Sequence, residues 1–281
     1  MHPILKAHRL KLAVNYSPQA AQLLDDGRIE FDLYKSTDWP DMVETARQQR
    51  PVYVHFPLLA GRANIGTVGW QRIVGFLDQT ATRYVNTHLA PCAADFDGLT
   101  LDSRDSSYAD LLADAMYRDI VLLVNRFGAD RVILELACWD PDPPWQIPRL
   151  VLEPELITRM VEQTGCGFLL DVAHARLNAM CLGMDEREYL SRLPVNRIRE
   201  LHVTGVAYDA EKGRCRDHFA MSADDWRLAE WALAQIRRGQ WARPWAVALE
   251  YGGTGPHFAY RSRADVLAAD VPRLYDLVRA S

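Results

Sequence analysis

Residues 50–66 read RPVYVHFPLLAGRANIG. A run of β-forming apolar residues ends on a titratable ring, His55, then passes through a proline into a loop with two glycines. A strand that closes on histidine inside a core needs a reason, because a buried polar group costs free energy unless it finds a partner. The same ending recurs along the chain. The strand candidates are LKLAVNY (10–16), IEFDLYK (29–35), VYVHFPL (52–58), YVNTHLA (84–90), VILELAC (132–138), GFLLDVAH (167–174), IRELHVTG (198–205) and AVALEYG (246–252).

Between the strands lie segments with helical spacing. SPQAAQLLDDG offers Ser17 as a cap and Pro18 at the first helical position, and SADDWRLAEWALAQIRRG offers Ser222, acids in its first turn and arginines in its last. WPDMVETARQQ, VGWQRIVGFLDQTATR, YADLLADAMYRDIVLLVNRFG, EPELITRMVEQTG and RADVLAADVPRLYDLVR complete the set. Strand and helix alternate, which predicts an α/β chain folded as a (β/α)8 TIM barrel, one domain over residues 1–281. A doubly wound sheet is the alternative, but NYSPQAAQ carries no glycine-rich phosphate turn after the first strand.

Composition narrows the function. With 49% hydrophobic and 25% charged residues in 281, the chain can bury a large core. A formal net charge of −5 supplies no global basic field, so nucleic acid is disfavoured as a partner. The five cysteines form no CxxC pair, which points to a reducing compartment without a thiolate metal site or a disulfide scaffold. No apolar run is long enough to span a membrane and MHPILKAHRLKLAV lacks the pattern of a signal peptide, so a cytoplasmic chain is expected.

In a parallel barrel both faces of each strand are buried, and the carboxyl-terminal rim holds the chemistry. Toward that rim fall His55, His88, Glu135, Asp171 with His174, His202 and Glu250. Alternation sharpens this: Val132, Leu134 and Leu136 share the face suited to helices, whereas Glu135 shares the other with Ile133 and Ala137. Glu250 follows Ala246 and Ala248 inward, and Asp171 follows Leu169. Any one of these histidines alone reads as a satisfied core residue. As a set of rings and acids aimed at one rim they read as a metal site, and nitrogen and oxygen ligands suit zinc, manganese or iron better than magnesium or calcium.

Further candidates lie in loops. GRCRDHFAMSADDW (213–226) adds Asp217 and His218; neighbours in an extended segment point opposite ways, so one is expected to turn inward and the other to pack on the loop. His257 in the last loop either meets substrate or faces solvent, and His2 and His8 are expected to do nothing catalytic. Segments 90–107 and 139–150 are expected to shape a substrate channel, with Trp139 and Trp145 lining it or pinning the loop.

The order of these residues resembles that of the xylose-isomerase-like TIM barrels, a group that includes the endonuclease IV family. Within it, RPVYVHFPLLAG, NTHLA and IRELHVTG resemble strands three, four and seven of the multinuclear non-heme iron-dependent oxidases, the DUF692 or methanobactin-biosynthesis-B-like family, over about residues 50–252. The chain departs from that pattern at Asp217 and His218, adjacent where an Asp-x-His step is usual, and at Leu136, where asparagine often follows the glutamate.

The resemblance implies two or three metal ions, iron with zinc or manganese as alternatives, and dioxygen as co-substrate. It implies one ion on His55, His88 and Glu135, a second on Glu135, Asp171, His202 and Glu250, and a third on His174 with Asp217 or His218. Glu135, Glu250 and Asp171 are the implied catalytic residues, and the implied substrate is a cysteine-containing peptide or a small molecule, with a precursor-binding protein as partner. Three other readings stand beside this oxidase: a divalent-metal sugar isomerase or epimerase using Glu135 and Glu250, an endonuclease-like phosphodiesterase, and a metal-binding scaffold without activity.

Overall fold

The computed structural model describes residues 9–280, so His2 and His8 lie outside the described residues. Its strands are β1 (Lys11–Asn15), β2 (Leu33–Thr37), β3 (Val52–His55), β4 (Leu59–Ala60), β5 (Val85–Leu89), β6 (Val132–Leu136), β7 (Gly167–Asp171), β8 (Ile198–Val203), β9 (Gly205–Asp209), β10 (Arg214–Phe219) and β11 (Ala246–Leu249). The helices are α1 (Pro18–Asp25), α2 (Pro40–Arg47), α3 (Trp70–Gln79), α4 (Ser107–Phe127), α5 (Pro154–Thr164), α6 (Val172–Leu182), α7 (Glu186–Arg192), α8 (Ala223–Arg237) and α9 (Ala264–Arg279). One nine-stranded parallel sheet runs β3-β2-β1-β11-β8-β7-β6-β5-β4, and β9 pairs antiparallel with β10 beside it.

Because β1 pairs with β11 and the other long strands follow in chain order, this sheet curls into the predicted barrel. Its third stave is broken. β3 pairs only with β2, the chain passes through Phe56–Pro57–Leu58, and β4 then pairs with β5. Side chains close what the ladder leaves open: Thr82 Oγ1 accepts from Val54 N at 2.8 Å, and the Asn86 amide accepts from Phe56 N at 2.7 Å and donates to Phe56 O at 3.0 Å.

The layers follow the alternation of the strands. Val132, Leu134, Leu136, Phe168 and Leu170 face outward into the main core under the helices. Inside, Ala13, Leu33, Tyr53, Ala246 and Ala248 form a small apolar floor. Two residues further along their strands, the same inner face carries Asn15, Lys35, His55 and Glu250, all of which line the cavity above the floor. The helix starts obey local chemistry as expected, with Ser17 Oγ accepting from Ala20 N at 3.1 Å and Ser222 and Asp225 forming a capping box on α8.

Three boundaries differ from the sequence reading. The strand expected over 167–174 ends at Asp171, which caps α6 by accepting from His174 N at 2.9 Å, so the DxxH step is the first turn of a helix. The strand expected over 29–35 runs Leu33–Thr37 and places Lys35 at its centre. The segment after the seventh barrel strand, expected as a loop, is the β9–β10 hairpin. Gly205 permits its close approach, since a Cβ there would stand 2.1 Å from Ala220 O.

Candidate metal centre

The inner faces of β3, β5, β6, β7, β8 and β11, with the first turn of α6 and the β10 strand, bring all nine expected ligands to the floor and wall of one region. His55 Nε2 and His88 Nε2 stand 3.3 and 3.1 Å from one oxygen, Glu135 Oε2. The other Glu135 oxygen lies 3.7 Å from His174 Nδ1 and 3.7 Å from His202 Nδ1. His202 Nδ1 also faces Glu250 Oε1 at 3.1 Å and Asp171 Oδ2 at 3.9 Å. His174 Nε2 meets Asp217 Oδ2 at 3.0 Å and Asp171 Oδ2 at 3.9 Å.

Asp217 and His218 both turn inward, against the expectation that one would pack away. Between Arg216, which faces Ala207, and Phe219, which faces Gly205, two residues of β10 oppose one of β9. That bulge and a left-handed φ of 63° at His218 break the alternation which would have sent the neighbours apart. His218 Nε2 lies 3.3 Å from Asp217 Oδ2, and its Nδ1 donates to Glu250 O at 3.0 Å.

These groups do not satisfy one another. Glu135 Oε2, Asp171 Oδ2 and His202 Nδ1 are buried and lack a hydrogen-bond partner, although each lies within 4 Å of an oppositely charged or basic atom of the cluster. Buried polar atoms are ordinarily paired, so convergent orphans ask for a cation between them. The spacing agrees: two ligands about 2.1 Å from a shared ion are roughly 3.4 Å apart in a tetrahedron. Four sets of three ligand atoms, each mutually within 4.8 Å, are present: His55–Glu135–His202, Glu135–Asp171–His174, Asp171–His202–Glu250 and Cys138–His174–Asp217. Glu135, Asp171, His174 and His202 each belong to two sets, and the two carboxylates among them are placed as bridging ligands are. The donors present therefore fit a multinuclear metal centre.

The electrostatics say the same. Burial opposes ionisation of Glu135, but His88 and His55 beside it hold its carboxyl well below the usual range. Burial likewise opposes the Glu250 charge and is overridden by Lys35 and His202, and Asp217 is held low by His218 and His174 against its own burial. Asp171 is different, since burial pushes its carboxyl up to about 6. Burial also disfavours charge on His202 and His174, yet Glu250 and Asp171 respectively hold these rings above their ordinary value. His55 goes the other way, driven down by burial and then by Lys35.

Several residues of the site escaped the sequence reading. Lys35, buried, makes an ion pair with Glu250; it shares the inner face of β2 with Leu33, and that parity was the signal. Glu200 Oε1 accepts from His202 Nε2 at 2.7 Å and Glu200 Oε2 accepts from Trp245 Nε1 at 3.1 Å, which turns the free Nδ1 of His202 toward the acids. Asn86 Nδ2, besides bonding Phe56 O, lies 3.0 Å from His55 Nε2. Cys138 also lines the site, where a thiolate ligand had not been expected.

Above the ligands opens a cavity of roughly 330 Å³, walled by Trp39, Met42, Trp145 and Phe258 and by Arg214, Arg216 and Arg261. Arg214 and Arg216 are held by Asp140 at 2.7 Å and Asp209 at 2.6 Å. Arg261 stacks on Phe258 at 4.5 Å, with its Nε buried and unpartnered. Of the two tryptophans considered, Trp145 lines the cavity and Trp139 packs against the core, while His257 is exposed.

Comparison with known proteins agrees with the resemblance read from the motifs. Residues 146–260 match the family model described as RiPP precursor modification enzyme MbnB/TglH/ChrH. That span contains Asp171, His174, His202, Asp217, His218 and Glu250 but not His55, His88 or Glu135. A UPF0276 protein of Pseudomonas aeruginosa is 22% identical over 220 residues, 75% of each chain, and one of Bordetella pertussis is 35% identical over 112 residues, 38% of this chain and 37% of the relative. Among solved structures, a D-tagatose 3-epimerase-like protein superposes with a TM-score of 0.58 at 13% identity, covering 96% of this chain and 98% of that one. A sugar phosphate isomerase/epimerase of Parabacteroides distasonis gives 0.54 at 11% identity, covering 94% and 98%. At such identities these share the barrel fold. Among the described residues no helix is long and apolar enough to cross a membrane.

Proposed function

We propose that this chain is a multinuclear iron-dependent oxidase that acts on a cysteine-containing peptide at the carboxyl-terminal rim of its barrel. The observation that carries the reading is the convergence of Glu135 Oε2, Asp171 Oδ2 and His202 Nδ1, buried and unpartnered, within a ring of further histidines and acids. The match of residues 146–260 to a family of peptide-precursor modification enzymes supports a peptide as substrate. His55, His88 and Glu135 would hold one ion, Glu135, Asp171, His202 and Glu250 a second, and His174 with Asp217 and His218 a third. Iron supplies the change of valence that attack on an unactivated C–H bond requires.

The chain's own groups do the positioning. Glu135 keeps both carboxylate oxygens, and Asp171 its Oδ2, at the centre of the cluster, and Glu200 fixes the His202 ring so that Nδ1 stays aimed inward. Lys35 lies against Glu250 and offsets part of the buried negative charge. Trp39, Trp145 and Phe258 present apolar walls to a bound peptide, and the Arg261 guanidinium, stacked on Phe258, offers donors to its carbonyl or carboxylate groups.

The barrel shared with sugar epimerases makes a metal-dependent isomerase the second reading, with Glu135 and Glu250 moving protons. A phosphodiesterase is less well served, since the net charge is −5 and two of the three cavity arginines are tied to carboxylates. One experiment separates the classes. Iron-loaded and zinc-loaded protein are incubated with cysteine peptides, small sugars and abasic-site DNA, while oxygen uptake and product mass are followed. Oxygen uptake by the iron form that requires a cysteine peptide supports the oxidase. Turnover of a sugar or of DNA by the zinc form, independent of oxygen, overturns it.

A further inference from the structure

Cys138 stands two positions beyond Leu136, the last residue of β6, and its side chain reaches the cavity. Its sulfur, a ring nitrogen of His174 and a carboxylate oxygen of Asp217 all lie within 4.8 Å of one another. A cysteine that merely fills space needs no special support. This one is held on both sides. On α6, one turn after His174, the buried Asn178 accepts from Trp139 N at 3.1 Å and donates to Ala137 O at 2.9 Å, so a single amide clamps the peptide groups flanking Cys138.

The same helix orients the other nitrogen donor. His174 Nδ1 donates to Leu136 O at 2.9 Å, which leaves Nε2 for Asp217 Oδ2 at 3.0 Å and Asp171 Oδ2 at 3.9 Å. Asp171 Oδ2 is fully buried and has no hydrogen-bond partner. Strand end, helix turn and the β10 bulge thus bring a thiol, an imidazole whose Nε2 faces the acids and a carboxylate to one point, with an unpartnered oxygen beside them.

We propose that Cys138 is a thiolate ligand that completes, with His174 and Asp217, the third metal position of this centre. The inference rests on the metal-centre reading above and adds a ligand to it. It gives the third position a softer donor set than the nitrogen and oxygen positions around Glu135, and so a stronger preference for zinc, cobalt or ferrous iron over manganese.

Cobalt(II) tests this without any assay of activity. Protein stripped with chelator is titrated anaerobically with cobalt, and the near-ultraviolet thiolate-to-cobalt charge-transfer band is followed together with the visible ligand-field bands. The expected result is a charge-transfer band in the wild type that disappears in Cys138→Ser and persists in Cys215→Ser, the control for the sulfur that packs on the same apolar cluster. In wild-type protein, where folding of a variant is not at issue, zinc should slow alkylation of Cys138 by about tenfold or more, read by peptide mass. Ligand-field bands without a charge-transfer band, a band that survives in Cys138→Ser, or alkylation unaffected by zinc overturns the thiolate ligand alone. Failure to bind cobalt at all overturns the metal centre with it.

Discussion

Glu200 and His202 stand two residues apart on β8, joined by a 2.7 Å hydrogen bond from His202 Nε2 to Glu200 Oε1. Both are buried, and the bond decides which ring nitrogen faces Glu135, Asp171 and Glu250. A carboxylate behind a metal-facing histidine fixes its tautomer and raises its basicity. Glu200→Gln should therefore weaken metal affinity about tenfold, toward the lower end of what loss of such a partner costs. Chelator competition measures it; affinity unchanged by the substitution would show that Glu200 serves only to pair with Trp245.

Lys35 is a cation already seated against Glu250, and a metal ion would compete with it for that carboxylate. The two states of the protein should respond oppositely to Lys35→Met. Removing the lysine leaves the buried Glu250 charge with His202 as its remaining close partner, so the metal-free protein should lose about 3 kcal/mol in denaturant unfolding, the lower end for a broken buried pair. Metal affinity, by chelator competition, should rise. A variant weakened in both measurements would make Lys35 a support of the loaded site instead of a rival to it.

Because the β10 bulge turns both residues inward, Asp217→Asn and His218→Ala should each reduce metal content, by up to about one ion. Elemental analysis after gel filtration gives the counts. Loss confined to one variant would mean that only that side chain is a ligand.

The four perturbed rings set opposite slopes in the metal-free protein. His55 and His218 are lowered, chiefly by burial, so unfolding takes up protons there and stability falls as pH drops below the ordinary 6.5. His202 and His174 are raised, so the stability they contribute is complete below 6.5 and is lost as pH climbs through their folded values. Asp171, pushed up to about 6, opposes the acid slope over part of its range. Denaturant unfolding of chelated protein at about pH 5, 6.5 and 8.5, settings that bracket the ordinary histidine value, should peak at the middle one. Stability that rises steadily from the first to the last would contradict the charge states assigned to His202 and His174.

Much of this site was legible because a strand's period of two is rigid. Once VILEL is a barrel strand, Glu135 must face inward with Ile133, and the same rule delivered His55, His88, His202 and Glu250. Lys35 obeys it equally and was missed only because the second strand was placed too early, which made the lysine an exposed end. Helix α6 was hidden by continuity. Val172 and Ala173 resume the apolar run of β7 directly after Asp171, and only the capping geometry of Asp171 separates strand from helix. The inward turn of His218 was not legible, since it depends on a bulge and on the approach of Gly205 to Ala220, both contacts between segments distant from the strand pattern. Cys138 was passed over because no second cysteine stands near it in sequence; its partners come from α6 and β10.

The interrupted third stave gives the centre a mechanical part. Between β3 and β5 the hoop of ladder hydrogen bonds is replaced by the side chains of Thr82 and Asn86, so this seam is the place where the barrel parts at least cost. His55 stands on one lip and His88 on the other, their rings 5.4 Å apart, and both reach the same Glu135 oxygen. An ion shared by that pair rivets the lips together. Loading then hardens the hoop where it is softest, and amide hydrogens of residues 52–60 and 82–89 become the part of the barrel whose exchange slows most.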